Sequence, residues 1–286
     1  MEFRPFRVPL MVPFRGVTER QGVLIRGPGG WGEYSPFPDY PAPRRNRWWR
    51  AAMEAAAGQW PEPVRERVSV NSIVPAVAPD VAGRLAALGG CRTAKVKVAS
   101  PHGSIADDIT RVEAVRDALG PEGRIRVDAN GGWQAAEAMV AIEALDRAAQ
   151  GLEYVEQPCE TLEEMADVRK AVDVPIAADE SIRIPEDPFK VIEAEAADIV
   201  VLKVAPLGGV QACLDLAERI GLPVVVSGAM ETSVGLAAGI ALARALPELP
   251  YACGLGTGAL LAADVVTTKV VPVDGEIAAP DLEVTV

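Results

Sequence analysis

The stretch TAKVKVAS, residues 93–100, decides the fold. Val96 and Val98 alternate with Lys95 and Lys97, which is the period of a strand, so both lysines point to one face of a run whose apolar neighbours mark it as core. The chain has only six lysines. Two of them on one face of a core strand call for a partner for their charge.

Working outward, short β-rich runs end near Asn71, Lys97, Asp128, Glu156, Asp179, Lys203, Ser227 and Cys253, roughly 22 to 31 residues apart. Most of the intervals carry helical patterning, as in IADDITRVEAVRDALG, AAEAMVAIEALDRAAQ and GVQACLDLAERIG, with Gly or Pro at the ends. The interval after Asn71 is the poorest in apolar helix signal. Strand and helix alternate eight times, so the fold class is α/β and the expected architecture is a (β/α)8 TIM-type barrel. Residues 1–66 stand outside this rhythm. They combine strand-like QGVLIRGPGGWGEYSP, a Pro-rich turn and a helix in RNRWWRAAMEAAAGQW, a small α+β unit able to cap one end of the barrel. The barrel is expected over 67–262, and the alternating tail 263–286 is expected to return to the cap.

Composition narrows the function. About half of the 286 residues are hydrophobic, enough for a large core, and a net charge of -12 with a pI near 4.7 excludes broad binding to nucleic acid or to an anionic membrane surface. A small molecule is the expected partner, and a monomer is favoured over a homo-oligomer. The N-terminal MEFRPFRVPLMV lacks the apolar core of a signal peptide, and no run approaches the roughly 20 apolar residues of a membrane span, so a cytoplasmic protein is expected. Cys91, Cys159, Cys213 and Cys253 stand singly, which predicts buried free thiols and neither a zinc site nor a disulfide framework.

The strand ends carry the chemistry. AKVKV ends in Lys97, RIRVD in Asp128, EYVE in Glu156, PIAAD in Asp179 and DIVVLK in Lys203. Polar residues at the C-terminal ends of barrel strands form the active face. Three carboxylates converging there repel one another unless a cation joins them, and oxygen-only ligands suit a hard ion such as Mg²⁺. Asp128, Glu156 and Asp179 are the candidate metal ligands. A substrate carboxylate on such an ion is more easily deprotonated at its α-carbon, because the metal stabilises the enediolate. A lysine beside another cation loses its proton more readily. Lys95 is expected to act on Lys97 in this way, and Lys203 faces the substrate from the other side.

The set KVK, RVDAN, EYVEQP, ADES and VLKV, in that order on successive strands, resembles the muconate-lactonising branch of the enolase superfamily. With GEYSPFPDY and the short length, it is similar to the o-succinylbenzoate synthase family of menaquinone biosynthesis. The resemblance implies an α+β capping domain over a modified barrel and Mg²⁺ on Asp128, Glu156 and Asp179. It also implies a syn-dehydration of 2-succinyl-6-hydroxy-2,4-cyclohexadiene-1-carboxylate to 2-succinylbenzoate. In it Lys97 takes the α-proton and then protonates the departing hydroxyl on the same face, while Lys203 stabilises the enediolate. Racemases, epimerases and cycloisomerases of the branch share the five residues, so racemisation of N-acyl (N-succinyl) amino acids is the alternative. The chain departs from some relatives at Gly256 in CGLGTG, where they carry an acidic residue.

Substrate contacts are expected from Lys95, from Arg126, whose parity matches Asp128, and from Asn130. They are also expected from Ser227, Gly228 and Gly254, where SGAMETSVG offers amides and a hydroxyl to a carboxylate unless it serves as a helix N-cap. Arg126 reads equally as an interior ion-pair partner and Asn130 as a turn residue. Alternation turns Glu180 away from the strand-end ring, where a supporting role is weighed slightly above a surface one. His102, the one histidine, falls in a turn, which argues against a histidine base. A Schiff base on Lys203 is a chemically distinct reading, opposed by the three acidic strand ends. A purely structural ion leaves the two facing lysines unexplained.

Overall fold

The computed structural model describes residues 1–14 and 16–286. The chain opens with a three-stranded antiparallel sheet, β1 (Glu2–Phe14), β2 (Val17–Gly27) and β3 (Gly30–Tyr34), followed by helix α1 (Ala42–Ala57). β1 and β2 pair from Glu2 opposite Arg26 to Pro9 opposite Glu19, shift register, and pair again at Phe14 and Val17. Helix α1 has Pro43 in its first turn, where a missing N–H costs nothing, and stops at Gly58 in the left-handed conformation. Its buried face, Trp48, Ala51, Ala52, Ala55 and Ala56, is helically spaced and packs on the sheet. A side chain at Gly32 would collide with the Ala52 carbonyl, so only glycine lets helix and sheet come this close.

The second part begins with β4 (Arg67–Ser69) and continues as β5 (Ser72–Val74), α2 (Pro79–Ala86), β6 (Thr93–Lys97), α3 (Ile105–Leu119), β7 (Arg124–Asp128), α4 (Ala135–Ala149), β8 (Leu152–Glu156), α5 (Leu162–Ala171) and β9 (Ile176–Ala178). Two single turns follow, α6 (Glu180–Arg183) and α7 (Lys190–Glu193), where Pro185 and Pro188 prevent a longer helix. Then come β10 (Ile199–Leu202), α8 (Val204–Leu207), α9 (Val210–Ile220), β11 (Val224–Val226) and α10 (Ser233–Ala245). The seven strands β5 to β11 lie side by side in chain order, all parallel.

The eighth strand expected near Cys253 is reduced to bridges. Cys253 pairs with Val70 and Gly254 with Ser227. Asn71 N donates to Cys253 O at 2.9 Å and Gly254 N to Val226 O at 2.8 Å, so a short segment still joins the last strand to the first and closes the barrel. Pro247 and Pro250 just before it have no N–H to give a ladder. The segment is followed by a 3₁₀ turn, Gly256–Leu260, instead of a helix, which makes the barrel a modified one.

The tail meets the cap on both sides of its strand: Val265 and Val266 share a buried cluster with Phe6 and Val8, Leu282 and Val284 pack against the same cluster, and between them β12 (Glu276–Ala278) pairs antiparallel with β4 at the base of the barrel. All four cysteines are buried and free. Among the described residues no helix is long and apolar enough to cross a membrane.

Candidate active site

Parallel register sets the site. Lys97 lies opposite Asp128 and Asp128 opposite Glu156, so β6, β7 and β8 present one polar rung at their C-terminal ends. Asp179 follows β9 and Lys203 follows β10 by one residue each. Below this rung Ala177, Ile199, Val201 and Val225 pack around Tyr154, with the buried Arg126 beside it.

Within the ring each acid meets a base. Lys95 Nζ lies 2.7 and 2.8 Å from the two Glu156 oxygens and 3.1 Å from Asp128 Oδ2. Lys97 Nζ donates to Asp128 Oδ2 at 2.6 Å and Asn130 Oδ1 at 2.7 Å, and Lys203 Nζ donates to Asp179 Oδ2 at 2.6 Å. Asp128, Glu156 and Asp179 are at most 1 % exposed. Burial disfavours charge on all three. Lys97 and Lys95 overcome it at Asp128, and Arg183 and Lys203 at Asp179, so both carboxyls are held well below the usual range. At Glu156 burial and the repulsion of Asp128 prevail over Lys95, and its pKa is raised to about 7. Burial also works against the ammonium of Lys95, yet Glu156 and Asp128 together raise its pKa well above the ordinary lysine value. Lys95 is therefore the fixed cation of the lysine pair.

The donor set fits a hard divalent cation. It offers only carboxylate oxygens, all buried in one ring, and Glu156 is short of positive charge. As the side chains stand these oxygens are given to lysine and arginine, and no group of three or more His, Cys, Asp or Glu among the described residues is placed to hold an ion. Binding one exchanges ammonium contacts for metal contacts.

Several expected contacts are relocated. Arg126 has the right parity but the wrong rung. It is fully buried two residues below Asp128, bonded to Glu153, Asn71 Oδ1 and Ala252 O, with Tyr154 and Tyr251 against its guanidinium. It is an interior ion-pair partner, not a group at the mouth. Lys95 is likewise committed to carboxylates and 4 % exposed. The amides of Ser227, Gly228 and Gly254, expected to face a substrate carboxylate, are spent on Leu202 O, Gly254 O and Val226 O in closing the barrel. What remains there is the Ser227 hydroxyl, 3.3 Å from Gly254 O, and the close approach of Gly254, where a side chain would collide with Ser227 Oγ. The N-cap reading holds further along, since Thr232 Oγ1 accepts from Val234 N at the start of α10. Asn130 is exposed, in the left-handed conformation, and joins Lys97 to Glu180 Oε1. Glu180 faces the site after all: strand alternation ends at Ala178, and Glu180 begins a helical turn. His102 is exposed in a turn.

Two groups were not anticipated. Arg183 binds Asp179 with Nε at 2.8 Å and also meets Glu180 and the Tyr40 hydroxyl; its spacing of four from Asp179 is the one sequence signal for it. On the opposite side, Glu33 of the GEYSP stretch accepts from Thr232 N and Gly235 N at the N-terminus of α10, while Arg20 donates to Met230 O. The cap therefore grips the C-terminal face of the barrel at two places.

The geometry agrees with what known proteins show. Residues 78–283 match the model of the enolase C-terminal domain-like family and residues 6–56 that of the enolase N-terminal domain-like family. The chain is 61 % identical over 275 residues to the o-succinylbenzoate synthase of Thermobifida fusca (strain YX), an alignment covering 96 % of this chain and 86 % of that protein. It is 55 % identical over 273 residues to the o-succinylbenzoate synthase of Mycobacterium tuberculosis (strain ATCC 25618 / H37Rv), covering 95 % and 82 %. Among solved structures, the L-Ala-D/L-Glu epimerase from Bacillus subtilis superposes with a TM-score of 0.83 at 24 % identity over 99 % of this chain and 96 % of that one. The muconate lactonizing enzyme from Pseudomonas fluorescens gives 0.82 at 22 % over 99 % and 94 %; these two establish the fold alone. With the ring of strand-end acids and lysines in place, the chain belongs to the o-succinylbenzoate synthase family of the enolase superfamily.

Proposed function

We propose that the chain catalyses the dehydration of 2-succinyl-6-hydroxy-2,4-cyclohexadiene-1-carboxylate to 2-succinylbenzoate in menaquinone biosynthesis, as a carbon–oxygen lyase of the cytoplasm. It acts as a monomer on a small carboxylate and takes Mg²⁺ as its divalent ion. Residues 1–66 serve as the cap, 67–262 as the catalytic barrel and 263–286 as the segment returning to the cap. The observation that carries the reading is the ring itself, three buried carboxylates flanked by Lys97 and Lys203, in a chain 61 % identical to a synthase of that name.

Asp128, Glu156 and Asp179 hold the metal, which when bound supplies a Lewis acid to the substrate carboxylate and its enediolate. Lys97 is the base. It sits at the end of β6 with Lys95, the fixed cation, two residues away on the same face. As the free amine it takes the α-proton; as the ammonium it returns that proton to the hydroxyl on the same face, which leaves as water. Asn130 Oδ1 holds the Lys97 head in both stages. Lys203, anchored on Asp179 from the other side of the ring, keeps its proton and stabilises the enediolate. The cap, seated on the C-terminal face of the barrel, limits water at the reacting carbon.

The test is a spectrophotometric assay with the cyclohexadiene hydroxy acid and Mg²⁺, beside Lys97→Ala and an EDTA control. Turnover to 2-succinylbenzoate that disappears in both controls is expected. Turnover that persists with Lys97→Ala removes the base assignment, and no turnover by the unaltered protein removes the function.

A further inference from the structure

We propose that Arg183 is the positioning residue for Asp179 and that, through Tyr40, it carries the seating of the cap into the affinity of the site for its divalent ion. The inference rests on the reading of Asp179 as a metal ligand.

The argument begins with α6, which is four residues long. A helix of one turn does not hold itself, because nucleation is unfavourable and isolated helices need about 12 to 15 residues. Its neighbours set its geometry, and these come from the cap. Arg47 of α1 donates to Arg183 O at 3.0 Å and to Pro185 O at 3.2 Å, pinning the main chain of the turn and the residues after it. Tyr40, in the connection from β3 to α1, is 4 % exposed and receives a hydrogen bond from Arg183 Nη1 at 3.1 Å. The Tyr40 ring is itself wedged against Phe37 and Trp48 of the cap core, with centroids 5.7 and 6.4 Å away.

On the barrel side the same guanidinium addresses both oxygens of Asp179, Nε to Oδ1 at 2.8 Å and Nη2 to Oδ2 at 3.4 Å, and Nη2 also meets Glu180 Oε1 at 2.6 Å. A planar fork on a carboxylate fixes the carboxylate plane, which the point charge of Lys203 on Oδ2 does not. Partners that orient a ligating carboxylate typically govern metal affinity by 10- to 100-fold. The chain of contacts is continuous and buried: cap core, Tyr40, Arg183, Asp179. Coupling of this kind is reciprocal, so what the cap contributes to ion binding, the ion contributes to cap seating.

Calorimetric titration of Mg²⁺ into the substrate-free full chain tests this, using the unaltered protein, Arg183→Lys, Tyr40→Phe and Asp179→Asn. Arg183→Lys keeps the charge and loses the fork, and is expected to weaken Mg²⁺ by about 10- to 100-fold. Tyr40→Phe deletes one hydroxyl and is expected to weaken it by about 2- to 10-fold. Saturating Mg²⁺ should return kcat of both variants toward that of the unaltered protein, a recovery that a merely structural role does not produce. Mg²⁺ should also slow amide exchange across residues 36–47, less so in Tyr40→Phe. If Asp179→Asn loses Mg²⁺ while Arg183→Lys and Tyr40→Phe bind within twofold of the unaltered protein, the inference is overturned and the metal site stands. Should Arg183→Lys fail to fold, unchanged binding by Tyr40→Phe overturns it alone. If Asp179→Asn also binds within twofold, the metal-site reading falls first.

Discussion

The barrel interior holds buried charge on two rungs, and the rungs differ in kind. On the lower one Arg126 is enclosed by Glu153, Asn71 and the Ala252 carbonyl between two tyrosine rings. Its charge is matched and has no access to the mouth. On the upper rung three acids on consecutive strands are flanked by Lys97 and Lys203, and one of them, Glu156, is left with too little positive charge for its burial. Buried charge alone does not mark a catalytic site. What sets the upper rung apart is a buried acid short of positive charge at the C-terminal ends of the strands, where the proposed ion and proton transfers would act.

Substitutions should therefore separate the rungs. The largest effect is expected on the upper one, where Lys97→Ala should lower kcat per folded molecule by about 10³- to 10⁴-fold, beyond any stability lost as Asp128 gives up one of its two lysines. A smaller loss would shift the proton transfer to another group. Next is the lower rung. Arg126→Met leaves Glu153 with the exposed Arg124 as its one ion-pair partner and should cost about 3 kcal/mol in urea unfolding, with kcat/KM per folded molecule nearly unchanged. A catalytic defect without a stability defect would erase the distinction between the rungs.

Glu156 supplies a pH test of the same contrast. Its pKa in the folded chain, about 7, lies above the ordinary 4.5, so the folded state holds the proton more tightly. The resulting stability is complete below pH 4.5 and is lost as pH rises through 7, a drift of about 3 kcal/mol in the metal-free protein. Urea unfolding at pH 5 and pH 8 should reveal the drift, Glu156→Gln should flatten it, and a divalent ion at pH 8 should reverse it. Equal slopes in the two proteins would show that Glu156 is fully compensated. The smallest effect is expected at the barrel seam: Ser227→Ala should raise KM by about tenfold, as for the loss of one charge-assisted hydrogen bond, with kcat retained.

Much of this was legible in the sequence. Strand period and the polar residue ending each strand located Lys97, Asp128, Glu156, Asp179 and Lys203, because parallel barrel strands place equivalent positions on one rim. Parity also sent Arg126 inward, but parity carries no information about height, and one rung separates a substrate contact from an interior ion pair. The amides of Ser227, Gly228 and Gly254 read as free because the weak eighth strand gives little sign of its own, and closing the barrel consumes them. Strand alternation carried into a helical turn pointed Glu180 away from the site, while the supporting role also weighed for it matches its bonds to Asn130 and Arg183.

By itself the sequence determined the α/β class, the order of the strands, the identity of the ring residues and, through its likeness to known synthases, the family to which the chain belongs. These are local quantities: side-chain period, residue type and spacing along the chain. Only the tertiary structure decided that Lys95 is tied to Glu156 and Asp128, that the tail runs under the barrel between its two contacts with the cap, and that Tyr40 meets Arg183 behind Asp179. Tyr40 and Arg183 stand 143 residues apart, and no periodicity links residues at that separation. Their meeting depends on how the cap packs against a four-residue helical turn, which is a property of the assembled surfaces.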